Sequence, residues 1–176
     1  EHDGVLFGLD ILEQMARTVD QSGATESVDV VDIVEMVNFF RLFADKCHHG
    51  KEEGLMFPAM VKVGIPNEGG PIGQMLLEHN QGRRHIADIG ASVAEGILQP
   101  DPFVKAANGY VTLMRAHIAK ENTVLFPMGD RLLPMEVQKQ LLLQFEAFEE
   151  EVMGKGTHEK LHETLNRFAE KYLHQS

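Results

Sequence analysis

A single cysteine, Cys47, occurs in the 176 residues. That scarcity excludes an internal disulfide framework and suits a reducing compartment. No apolar run approaches the roughly 18 residues needed to span a bilayer, and no signal-peptide pattern is visible, so the expected location is cytoplasmic. Basic residues are few: 16 Lys and Arg stand against 27 Asp and Glu, giving a formal charge of −11, and no basic block exceeds Arg83-Arg84. Such a surface repels nucleic acid and anionic membranes, and neither is an expected partner. Repeats, low-complexity stretches and strand-like alternation are also missing.

What is present is helical periodicity, enough for a sizeable core without disulfides. The first pattern runs from about His2 to Gln21, with His2, Leu6, Leu9, Leu12, Ala16 and Val19 on one stripe. Ser22-Gly23 ends it, and Thr25 or Ser27 is placed to cap the next. The second runs from about Val28 to Met60 through Val30, Ile33, Val34, Val37, Phe40 and Ala44. Gly50, Gly54 and Pro58 are expected to bend or break its last third. After the breaker-rich loop Gly64 to Pro71, a third helix carries Ile72, Leu76, His79, Ile86, Val93 and Ile97 in register. Gln99 to Pro102 reads as a tight turn. The fourth helix then presents Phe103, Ala107, Tyr110, Met114, His117, Glu121 and Leu125.

Two shorter patterns follow, Met135 to Met153 and Thr157 to Leu173, separated by Gly154-Lys155-Gly156. The fold class is therefore all-α. The expected architecture is an up-down-up-down antiparallel four-helix bundle over residues 1–130, with two additional C-terminal helices over 131–176 packed on it.

The histidines are rare enough to map onto this bundle. His2 and His48 each stand about 20 residues from the first turn, some 30 Å along a helix. His79 lies about 20 residues before the Gln99 turn and His117 about 16 after it. Four helices thus deliver imidazole to one level.

Carboxylates join them at helical spacing. In His117-Ile-Ala-Lys-Glu121 the acid sits one turn beyond the histidine on the same face. The segment Cys47-His-His-Gly-Lys-Glu-Glu53 repeats this with two registers, His48 with Glu52 or His49 with Glu53. Phe126-Pro127 follows His117 by nine and ten residues, and Phe57-Pro58 follows His48, not His49, by the same interval. At about 100° per residue Glu52 also projects with Val34, whereas Glu53 projects with Glu35 and Lys46. Both arguments select His48 and Glu52. His49, about 100° round the helix, is in reach of a second metal.

A lone histidine on an apolar stripe is ordinarily a satisfied core residue, and a lone glutamate ordinarily a solvated charge. Convergence of five histidines and two glutamates from four helices changes that balance. Zn²⁺ needs four ligands; two six-coordinate ions bridged by carboxylates need about this many and keep a position open. Mixed imidazole and carboxylate ligation suits Fe(II) or Mn(II).

Outside this set, His85 lies about 240° round the helix from His79 and is expected at the surface or behind the ligands. Arg83 is a surface charge or an outer partner, and Cys47 is expected to be a packed thiol. In the tail, His158-Glu-Lys-Leu-His162 matches HExxH, but six residues after the second histidine stands Phe168, and the segment reads as an ordinary amphipathic stripe.

Glu1-His2, the segment from Cys47 to Pro58, the stretch from Glu78 to Arg84 and the stretch from His117 to Pro127 together resemble the hemerythrin-like, HHE cation-binding family over about residues 1 to 130. The resemblance implies a four-helix bundle with an oxo- or hydroxo-bridged di-iron site that binds or turns over O₂, NO or peroxide. Two departures from hemerythrin proper argue against simple reversible O₂ carriage: Arg83 stands where a second third-helix histidine is expected, and Glu121 replaces an Asp one residue further on. His49 supplies the missing imidazole, as in some branches of the family.

The expected cofactor is two iron ions: His2, His48, Glu52 and Glu121 on one, His49, His79 and His117 on the other, with Glu52 and Glu121 bridging. The expected function is sensing, binding or storage of a diatomic or peroxide ligand. The alternative is an oxidoreductase consuming peroxide or NO, or an iron-sulfur cluster repair factor. The C-terminal helices offer a surface for a protein partner or dimer.

Overall fold

The computed structural model describes residues 1–22 and 28–173, and among these there is no strand. Six helices account for nearly all of them. Helix α1 is His2–Ser22. Helix α2 covers residues 30–62 without a break, as an α-helical start Val30–Phe39, π-helical stretches Phe40–His49 and Glu52–Met56, and an α-helical end Phe57–Lys62. Helix α3 is Pro71–Ala91. Helix α4 covers residues 100–132, as Pro100–Lys120, a π-helical turn Glu121–Leu125 and Phe126–Leu132. Helices α5 and α6 are Met135–Met153 and Thr157–Tyr172.

Helix α4 packs along both α1 and α3, and α2 lies against α1, α3 and α5, while α6 lies against α1. The chains of α1 and α2 approach closely because Gly8 lacks a side chain; a Cβ there would sit 2.8 Å from the Phe39 ring.

Two apolar clusters fill the interior. The larger includes Leu9, Leu12, Phe40, Phe103, Met114 and Phe168. The smaller includes Phe57, Met60, Ile72, Met75, Leu125 and Leu141. Along α2, α3 and α4 the buried histidines and glutamates fall between residues of the two clusters. A polar layer is thus sandwiched between apolar ones, where unpaired charge is costly.

Several local expectations need correction. Helix α2 is capped by Asp29, whose side chain accepts from the Val31 N–H; Thr25 and Ser27 lie outside the described residues. Pro58 does not break α2. A proline cannot donate to the fourth residue back, and its ring crowds that carbonyl. The helix accommodates this by widening one turn, so that Phe57 N–H reaches back five residues to the Glu52 carbonyl. The same device precedes Pro127, where Phe126 N–H reaches the Glu121 carbonyl.

The tight turn lies earlier than Gln99 to Pro102. Helix α3 ends at Ala91, Glu95 and Gly96 adopt positive φ (63° and 74°), and Ile97 is 65% exposed rather than in register. Pro100 then begins α4, where a missing N–H costs nothing. Val34 is 42% exposed, off the buried stripe of α2.

Candidate metal centre

Three buried histidines, one half-buried histidine and two buried glutamates arrive from α1, α2 and α4, and His79 from α3 completes the set. They form two groups that share Glu52. In the first, His2 Nε2 and His48 Nε2 lie 3.2 Å apart, His2 Nε2 is 3.1 Å from Glu121 Oε2, and His48 Nε2 is 3.6 Å from Glu52 Oε1. In the second, His79 Nε2 and His117 Nε2 lie 3.2 Å apart; each is 3.3 Å from a carboxylate oxygen, Glu52 Oε2 and Glu121 Oε1 respectively. His49 stacks on His79 with ring centroids 3.9 Å apart. Each carboxylate therefore turns one oxygen to each group.

These distances are those of neighbouring donors around a cation. Ligand bonds of about 2.1 Å at right angles set adjacent donors about 3 Å apart. Close approach is not hydrogen bonding here: both oxygens of Glu52, both of Glu121 and both ring nitrogens of His49 are buried without a hydrogen-bond partner among the described residues. Buried polar atoms are almost always satisfied, so six orphans in one layer fit the group that the donor set calls for.

The other ring nitrogens are tied down. His79 Nδ1 donates to Glu53 Oε1 (2.7 Å), His117 Nδ1 to Glu78 Oε2 (2.9 Å), His48 Nδ1 to Glu1 Oε2 (3.1 Å) and His2 Nδ1 to Asn122 Oδ1 (2.9 Å). In that tautomer every Nε2 turns a lone pair inward, the pattern of metal-ligating imidazoles. The outer acceptors are held in turn. Arg83 bridges Glu53 and Asp45 at 2.7 and 2.8 Å, Lys120 and Gln74 bond Glu78, and buried Lys51 bonds Glu1 and Glu149 of α5.

Electrostatics points the same way. Burial, reinforced by the charge of Glu121, pushes the Glu52 carboxyl well above its usual range. Two acids this close cannot both ionise without a cation between them. Burial holds His49 well below its ordinary value, aided by His79, and holds His79 at about 4, aided by His117. Neutral imidazole is the form that binds metal.

All seven residues named from the sequence thus meet in one layer. Glu53 does not join the donor groups; it is the acceptor that orients His79. Arg83 is an outer partner, through Glu53 and Asp45. His85 packs on Gly109, away from the cluster. Cys47 is buried, and burial pushes its thiol up to about 11. It approaches Glu1 and Glu149, with Lys51 paired to both carboxylates. His158 and His162 lie 4.7 Å apart and belong to no donor group among the described residues, while Phe168 is fully buried.

Sequence reasoning missed Glu1, Lys51, Glu78 and Asn122. All four are chain neighbours of a donor residue, which is the one signal that could have found them. Comparison with curated proteins and with solved structures returned no match. Comparison with protein families matches residues 1–129 to the Hemerythrin HHE cation binding domain. No helix among the described residues is long and apolar enough to cross a membrane. With three quarters of its length matched and a buried His/Glu cluster able to hold a metal, the chain belongs to the hemerythrin HHE cation-binding family.

Proposed function

We propose that the chain is a non-haem di-iron protein that binds O₂, NO or peroxide, in a sensing, binding or storage role. His2, His48, Glu52 and Glu121 hold one iron, and His49, His79 and His117 hold the other, with Glu52 and Glu121 bridging. The observation that carries this reading is the pair of buried carboxylates, each with one oxygen turned to either histidine group and neither oxygen hydrogen-bonded. The helix packing supports an up-down-up-down bundle over residues 1–130, with 131–176 as an added helical pair.

Bound iron would supply a redox change and an open coordination position for the small ligand. The chain's own residues do the rest. Glu53, Glu78, Glu1 and Asn122 keep four imidazoles aimed inward, and apolar clusters flank the layer on either side. The first group has two histidines where the second has three, so an ion held by His2 and His48 would have fewer imidazole donors from the chain.

A metal count with a spectrum of the oxidised protein tests the centre; two irons per chain are expected, and no stoichiometric metal from iron-replete cells overturns it. Stopped-flow mixing of the reduced protein with O₂, NO and peroxide then tests the role. A stable, reversible adduct is expected. Multiple turnovers would instead make it an oxidoreductase.

A further inference from the structure

Beside the His2 and His48 group lies a cavity of about 620 Å³. Water takes up about 30 Å³, so the space is roughly twenty times what a diatomic needs. It falls within the range of sites for organic ligands. Its two ends differ. One is polar, formed by His2, His48, Lys51 and Glu52. The other is mainly apolar: Met56 and Met60 come from the bundle and Leu141 and Phe145 from α5, with Asp130 and Gln138 among them, and the Phe126 ring, stacked on His2, lies where the two kinds of lining meet. Helix α5 lies outside the residues matched to the family, so this far wall belongs to the C-terminal addition. A second cavity, of about 590 Å³, reaches His49 from the other side; Phe40, Ile86 and Tyr110 line it together with the paired Asp45 and Arg83, and none of its wall comes from α5.

We infer that the α5-walled cavity binds an amphipathic organic molecule: an apolar body of roughly ten to fifteen heavy atoms with a hydroxyl or hydroperoxyl head directed at the His2 and His48 side. The polar end rests on the metal reading; the apolar end stands on the cavity alone. An alcohol and a hydroperoxide share this chemistry, and the redox-inert alcohol serves as the probe.

The test uses the full chain with ¹³C-methyl-labelled methionine, zinc-loaded in one sample and chelator-treated in another, titrated with 2-phenyl-2-propanol. Of the nine methionines, Met56 and Met60 are expected to shift saturably. Leu141→Trp, which fills the cavity from α5, is expected to weaken binding at least tenfold without changing the metal count. Phe145→Ala, which removes atoms, should favour longer-bodied alcohols. Elemental analysis of the same samples separates the two ideas. Shifts at Met56 and Met60 without stoichiometric metal would leave the cavity standing and overturn the metal centre. Absence of saturable shifts in both samples, or shifts unaltered in both variants, overturns the inference whatever the metal count.

Discussion

Glu52 and Glu53 are chain neighbours, about 100° apart on a helix, and that angle gives them different jobs. Glu52 is buried between both histidine groups, while Glu53 is partly exposed and pairs with His79 and Arg83. Glu52→Gln keeps the volume but leaves a single oxygen, so one of the two groups loses its donor, and elemental analysis is expected to find one iron per chain or fewer. Glu53→Gln should retain two irons and lower affinity roughly 10- to 100-fold, the usual cost of losing an outer partner. Equal losses in the two variants would show that the assignment of their roles is mistaken.

Elements set those angles. The π-helical stretches of α2 and the wide turn of α4 carry more residues per turn than an α-helix. A projection at a constant angle therefore drifts before it reaches the site. This is why Val34, exposed in the regular first part of α2, shares a projected angle with buried Glu52. The spacing to Phe-Pro survived because both motifs carry the same wide turn. Pro58→Ala restores a donor and lets that turn tighten. Helicity by circular dichroism should be preserved while iron affinity falls several-fold; unchanged affinity would mean that the turn does not set the register.

Helix α6 shows a different kind of coupling. Tyr172 donates to Asp32 Oδ2 at 2.6 Å, a buried contact joining α6 to α2. Tyr172→Phe should cost about 1.5 kcal/mol near neutrality, as for a hydrogen bond to a charged group. Burial, then the Asp32 carboxylate, pushes the Tyr172 hydroxyl up to about 12 from 10.0. A pKa raised on folding means that the contact's contribution is complete below about pH 10 and is lost as pH rises toward 12. Denaturation curves should show the unsubstituted chain losing stability faster than Tyr172→Phe across that window; parallel losses would remove the contact from the account.

At the scale of the whole molecule, the proposed metal centre would be a stability term as well as a chemical one. Among the described residues six buried polar atoms of this layer lack hydrogen-bond partners, and a ligand present at a hundred times its Kd stabilises a fold by about 2.7 kcal/mol. Removing iron with a chelator is therefore expected to lower Tm by roughly 5 to 10 °C for a chain of this size. A Tm indifferent to chelation would argue that the polar layer is satisfied in some other way.

The sequence by itself determined that the chain is helical and which seven histidines and glutamates the helices bring together, because residues three and four apart share a face, a histidine's distance from a turn sets its depth, and the repeated Phe-Pro interval fixes the register of Glu52. Tertiary structure alone decided which acceptor holds each imidazole, that Glu53 stands behind His79, and that α5 closes a cavity beside His2 and His48. Those contacts join residues as far apart in the chain as His2 and Asn122, or Met56 and Leu141. Local spacing carries no information about such pairs; they exist only once the helices have packed.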